Sequence, residues 1–165
     1  MFGVVMAGGK STRIGVEKPI LEFKGKKFLD ISCEAIVKSG LNCAVAVSEN
    51  APKTIEYAKT RYEILKTPGK DYCSDVKFIF DLLKEPFLTV VSDIPFVTYI
   101  DILEFMNDYK GKSMAGVVIK NGNMEYVGIN IVSNDIDDEI HVFKNDLLLM
   151  NVNTWEDYKK ILEKI

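Results

Sequence analysis

Apolar positions along the chain fall into two periods. Short runs rich in β-branched and aromatic residues, namely Phe2 to Met6, Cys43 to Val47, Tyr62 to Leu65, Phe87 to Val91, Met114 to Ile119 and Val127 to Val132, read as strands. Several show no polar alternation, which is the pattern of strands buried on both faces. Longer stretches over Phe28 to Lys38, Pro52 to Arg61, Tyr72 to Leu83, Tyr99 to Tyr109 and Thr154 to Ile165 carry the helical period. Punctuation agrees with the periods: Gly40 follows the first helix, Pro52 opens the second, and Thr154 stands where the last would be N-capped. No repeat, low-complexity block or linker divides the chain, so residues 1–165 read as a single domain. Strands alternating with helices predict right-handed crossovers, hence a three-layer α/β fold with a largely parallel sheet. In such sheets ligands gather beyond the carboxyl ends of the strands. The segments after Met6, Val47, Leu65 and Val91 are therefore where chemistry is expected.

Charge narrows the partners. Lys and Arg number 21 against 24 Asp and Glu, and a net charge of −3 gives no bulk attraction to nucleic acid or to an anionic membrane. Any phosphate must be held by a local cluster. A single histidine, His141, rules out paired-histidine metal ligation, and within Glu139 to Phe143 it reads as a half-exposed strand residue. Cys33, Cys43 and Cys73 lack close pairing and read as reduced thiols in or near the core, as in a cytoplasm. The first apolar stretch has no preceding basic residue and stops at Gly8-Gly9-Lys10, unlike an export signal, and no run reaches the roughly 18 to 20 apolar residues of a membrane span. Phe78, Phe80, Phe87, Phe96 and Phe105 are assigned to the core, and the pairs Lys26-Lys27 and Lys159-Lys160 to solvated faces.

The local cluster lies directly after the first strand, in Ala7-Gly8-Gly9-Lys10-Ser11-Thr12-Arg13-Ile14-Gly15, followed by Glu17-Lys18-Pro19. Adjacent glycines let backbone N–H groups approach an anion, while Lys10, Arg13 and Lys18 supply cations. The spacing matches neither a Walker A loop nor Gly-x-Gly-x-x-Gly. A polyphosphate cradle is the expectation; the plain alternative is a solvated turn. Asp93 ends the apolar strand Phe87 to Val91, where a carboxylate is costly unless it meets a cation such as Mg²⁺, the alternative being a cap for the helix near Tyr99. Gly69 and Lys70 precede a helix and could touch nucleotide phosphate or ribose; Ser48-Glu49-Asn50 offers donors and acceptors to a base edge, but a plain helix-entry turn explains it equally well. Asn151 and Asn153 flank Val152, and alternation would point both amides to one side.

These residues resemble a known family. The Gly-Gly-x-(Gly/Ser)-x-Arg-x-Gly…Lys-Pro pattern from Gly8 to Pro19 is similar to that of the MobA-like nucleotidyltransferases, which transfer NMP from NTP to phosphorylated acceptors. Within it the likeness is to the guanylyltransferases acting on adenosylcobinamide phosphate. It runs through Ala51 to Thr54 with Glu56-Tyr57, Gly69-Lys70 with Tyr72 and Asp75, Glu85 to Leu88, Ser92-Asp93, Gly128-Ile129-Asn130 with Val132-Ser133, and Asn151 to Thr154. Ser11 departs from the subgroup's usual glycine, and the Ile119 to Glu125 connection is shorter than its counterpart.

The resemblance implies a Rossmann-like nucleotidyltransferase fold with a mostly parallel mixed sheet. GTP and adenosylcobinamide phosphate would be the substrates and Mg²⁺ the cofactor. It implies catalytic roles for Arg13, Lys18 and Asp93, with Asp93 the metal ligand. Ligand contacts are implied for Ala7, Gly8, Gly9, Lys10, Ser11, Thr12, Arg13, Gly69, Lys70, Asn130, Asn151 and Asn153. A homodimer is compatible with it. The competing readings are a relative with a molybdopterin or sugar-phosphate acceptor, or a nucleotide-binding module without catalysis.

Overall fold

A computed structural model describes residues 1–135 and 138–164. In chain order the elements are strand β1 (Phe2–Met6), the short strands β2 (Glu22–Phe23) and β3 (Lys26–Lys27), helix α1 (Phe28–Lys38), β4 (Asn42–Val47), α2 (Pro52–Ala58) and β5 (Glu63–Lys66). There follow α3 (Tyr72–Leu83), β6 (Phe87–Val91), α4 (Tyr99–Asn107), β7 (Met114–Lys120), β8 (Asn123–Val132), β9 (Glu139–Val142) and α5 (Trp155–Glu163). Four expected elements, β1, α1, α3 and β6, begin and end where the pattern put them; Ile165, at the end of the last expected helix, lies outside the described residues.

The seven-stranded sheet runs β5-β4-β1-β6-β8-β7-β9. All neighbours are parallel except β8, which runs against β6 on one side and β7 on the other. Val5, Val45, Leu88 and Ile129 pack with Leu29, Ile36, Ile102 and Phe105 of α1 and α4 on one face, while Val4, Ala46 and Phe87 pack against Ile79 of α3 on the other. A smaller cluster around Phe23, Phe28, Val152 and Ile161 seats α5 at the edge. Both faces carry helices, but the second carries α3 alone.

Several readings change. His141 is buried, 7% exposed, because alternation along β9 turns it toward α4, edge-on to Phe105 and Phe143 with Nδ1 2.6 Å from Asp108 Oδ2. Phe78 and Cys73 are exposed, since α3 turns Asp75 and Ile79 inward and these two fall outside that stripe. Lys27 is half-buried and donates to the Ile20 carbonyl instead of standing in solvent. Strand β8 starts at Asn123 because Asn121 and Gly122, at φ 52 and 79, form a tight turn of the primed kind and zip Lys120 to Asn123.

Thr154 does cap α5. Its hydroxyl accepts from Asp157 N at 3.1 Å, while Asp157 Oδ2 accepts from the N–H groups of Thr154 and Asn153, each at 3.0 Å. Partial burial opposes ionisation of Asp157, but those donors hold its carboxyl below its ordinary value. Thr154→Ala is expected to lower stability by about 1 kcal/mol in denaturant unfolding. An unchanged midpoint would show that the cap contributes nothing.

Candidate active site

The segments that follow the carboxyl ends of β1, β5 and β6 meet in one place. The loop after β1, residues 69–72 at the start of α3, and Val91 to Asp93 at the end of β6 enclose a cavity of about 360 Å³. Its lining includes Ala7, Gly8, Gly9, Lys10, Ser11, Gly69 and Lys70, together with Lys18 and Asp93. Thr12 falls on the far side of the loop, in a separate depression with Lys10, Ser11 and Asn50. Arg13 is exposed, lines neither space, and makes no side-chain hydrogen bond or ion pair among the described residues.

The loop is shaped by residues that its own pattern does not reveal. Ser48 Oγ donates to the Gly8 carbonyl at 2.6 Å, and Asn50 Nδ2 donates to the Gly69 carbonyl at 2.7 Å, so the turn after β4 clasps both walls of the cavity. Asp75, 5% exposed, accepts from Gly69 N at 2.9 Å. Gly69 holds φ +73, and a Cβ there would lie 2.5 Å from Ser48 Oγ. Glu17 turns away from the cavity and accepts from Thr54 N at 2.7 Å and Lys53 N at 3.1 Å, tying the loop to the first turn of α2. A serine directly after the apolar run ending at Val47 is what the sequence shows of this clasp, and its burial appears only in the fold.

At the floor, Lys18 Nζ donates to Asp93 Oδ2 at 2.9 Å and to Asn153 Oδ1 at 3.2 Å. Both charged side chains are mostly sheltered, 20% and 16% exposed. Val152 N donates to the Asp93 carbonyl at 3.1 Å, so the segment before α5 is fastened beside the end of β6. The capping alternative for Asp93 is excluded, because Thr98 and Asp101 form the cap of α4.

A second cavity, of about 640 Å³, opens on the other side of Asp93 and shares Tyr72, Val91 and Asp93 with the first. Asn130 and Asn151 line it, whereas Asn153 lines neither cavity and accepts from Lys18 instead. Gly128, at φ +82, lies where β8 gains two residues against β7, and a Cβ would meet Val91 at 2.4 Å. Between the cavities stands Tyr72, whose hydroxyl is 2.8 Å from Thr89 Oγ1 and accepts from Asn130 Nδ2 at 2.9 Å. Burial pushes that phenol above its ordinary value, so it stays protonated.

Two phosphorylated ligands could therefore meet over one lysine and one carboxylate. Among the described residues no group of three His, Cys, Asp or Glu side chains could hold a metal by itself.

Comparisons with known proteins agree with that geometry. The family model described as the MobA-like NTP transferase domain matches residues 3–151. An adenosylcobinamide-phosphate guanylyltransferase from Methanocaldococcus jannaschii is 33% identical, the alignment covering 96% of this chain and 94% of that protein. Among solved structures, molybdopterin-guanine dinucleotide biosynthesis protein A from Archaeoglobus fulgidus superposes with a TM-score of 0.72 at 19% identity, over 99% of this chain and 98% of that one. A nucleotidyl transferase from Methanothermobacter superposes with a TM-score of 0.74 at 14% identity, over 98% and 95%. These two likenesses show the fold alone.

Proposed function

The chain belongs to the MobA-like NTP transferase family and is a nucleotidyltransferase, and from that premise we propose that it moves GMP from GTP to adenosylcobinamide phosphate, giving adenosylcobinamide-GDP and pyrophosphate. What carries the proposal is the pair of cavities that share Asp93, whose carboxylate accepts from Lys18 of the smaller one. The Methanocaldococcus relative, matched along nearly its whole length, supports the acceptor.

On this reading Ala7 to Lys10, Ser11, Gly69 and Lys70 hold GTP in the smaller cavity, the exposed Arg13 side chain turns in from the loop onto the outer phosphates, Thr12 stays on the far side of the loop, and Asn130 and Asn151 face the acceptor. The acceptor's phosphate monoester, with a second pKa near ~6, is largely a dianion at neutral pH and attacks without a general base. One of its oxygens forms a bond to the α-phosphorus of GTP while the bond from that phosphorus to the bridging oxygen breaks, and pyrophosphate leaves with the electron pair. Lys18 exchanges its contact with Asp93 for phosphate oxygens and offsets their charge as it concentrates. A divalent ion fits beside Asp93, since Mg²⁺ ordinarily takes one or two carboxylates and completes its shell with substrate phosphates and water. When bound it supplies further charge neutralisation on the triphosphate.

The three free thiols support a working place in the cytoplasm, and no helix among the described residues is long and apolar enough to cross a membrane.

The test crosses four nucleoside triphosphates with phosphorylated acceptors and reads pyrophosphate release. GTP with adenosylcobinamide phosphate is expected to turn over, and glucose 1-phosphate poorly, being too small to fill the larger cavity. GTP with Mg²⁺ at 100 times its dissociation constant should also stabilise the fold by about 2.7 kcal/mol in a melting experiment. Equal shifts with ATP, CTP and UTP would remove the guanine preference; better turnover of the sugar phosphate would remove the acceptor.

A further inference from the structure

Beyond β6, the face of the sheet that carries α3 is open. Paired residues across a sheet share a face, so the register places Thr89, Asn130, Ala115 and Ile140 in one row across β6, β8, β7 and β9. The next row is Tyr126, Val117 and Val142. Helix α3 reaches only as far as the first of these rows, where the Tyr72 hydroxyl meets Thr89 and Asn130. Along these rows Tyr126 is 66% exposed, Val142 51% and Ile140 41%, while Val117, between Tyr126 and Val142, is buried beneath them. A groove of about 400 Å³ runs along this face beside α3, and it shares Tyr72, Tyr126 and Asn130 with the larger cavity of the active site.

An open apolar face continuous with a binding cavity is where the rest of a large ligand would lie. We propose that this face, headed by Tyr126, receives the non-phosphorylated body of the acceptor and is what admits a broad, partly apolar acceptor in place of a compact sugar phosphate. The proposal rests on the guanylyl transfer argued above. The acceptor's phosphate enters at Asp93, and its body extends past Tyr72 over Asn130 and Ala115 toward Val142. Tyr126 is the specificity residue. Its ring is amphipathic, so it can cover apolar surface while its hydroxyl stays wet. The turn at Asn121-Gly122 pairs the outer half of β8 with β7 and so places Tyr126 opposite Val117.

The test is steady-state kinetics of Tyr126→Ala and Tyr126→Phe, with adenosylcobinamide phosphate and GTP varied in turn and pyrophosphate release as readout. Tyr126→Ala is expected to raise the acceptor KM roughly tenfold, the worth of burying part of an aromatic side chain, with kcat and the GTP KM about unchanged. Tyr126→Phe should restore the acceptor KM. Because the ring is exposed, the variants fold, which thermal melting verifies. If the wild-type protein transfers GMP to this acceptor and Tyr126→Ala leaves its KM unchanged, the open face is not the acceptor platform and the inference falls while the guanylyltransferase reading stands. If the wild type shows no transfer to it, both fall. An unchanged acceptor KM together with a change in oligomeric state by light scattering would assign the face to a second copy of the chain and overturn the inference.

Discussion

Asp93→Asn is expected to cut pyrophosphate release by a factor of about 10² to 10³ at saturating substrates while leaving the melting temperature nearly unchanged. The amide keeps the shape of the carboxylate and can still accept from Lys18 Nζ, now 2.9 Å from Oδ2, so packing at the end of β6 is preserved. What disappears is the negative charge that orients the lysine and can hold a divalent ion over the phosphates. Lys18→Ala should cost a comparable factor by the opposite route, leaving a carboxylate only 16% exposed without its cation. Because the two groups act on the same phosphates, the double variant should lose far less than the product of the single losses. Wild-type turnover by either folded single variant would mean that chemistry happens elsewhere.

Gly69→Ala is expected to be the most destabilising exchange in the site. A side chain at φ +73 costs about 1 to 2 kcal/mol by itself. Here the new Cβ would also press within 2.6 Å of Ser48 Cβ and Asn50 Nδ2, a clash worth about 1 to 3 kcal/mol more. Ser48 and Asn50 are the side chains that clasp the cavity walls, so relief of the clash must loosen them. Denaturant unfolding with and without GTP should show both a lower midpoint and a weakened response to the nucleotide. Gly9→Ala is the contrast, since a Cβ there meets nothing within 4 Å; its effect should appear in nucleotide affinity and hardly in stability. A Gly69→Ala protein as stable and as responsive as wild type would show that the clasp does not shape the cavity.

The sequence reveals the central sheet because its strands are buried on both faces, and unbroken apolar runs such as Phe87 to Val91 leave little choice of period. It reveals less at the margins. The outer half of β8, from Asn123 to Tyr126, is exposed on both sides and polar enough to read as loop, so only its turn holds it in the ladder. Phe78 shows the converse: an aromatic residue inside a helix says nothing about which side it is on until the stripe of Asp75 and Ile79 is known. Within the site, Lys18 and Asp93 announce themselves as charges after apolar strands, 75 positions apart, and the fold brings them together. The clasp of Ser48 and Asn50, and the Tyr72–Thr89–Asn130 chain, do not. Their side chains are ordinary in sequence and gain meaning only from which strand ends are neighbours. The contact of Asn153 with Lys18 is similar, because the chain there is not a strand and alternation gives no partner.

The loop after β1 is fastened at four points along its length: Gly8 by Ser48, Ser11 Oγ by the Lys18 N–H at 3.3 Å, Glu17 by the start of α2, and the Ile20 carbonyl by Lys27 at 3.3 Å. Such a segment is not a flap. Most of the entropy lost when a loop is ordered around a phosphate chain has been lost here at folding, before any nucleotide arrives. Association then needs no rearrangement of this wall, and loosening the fastenings at Ser48, Glu17 or Lys27 would weaken the ligand's grip through disorder of the empty protein, without removing an atom assigned to its binding.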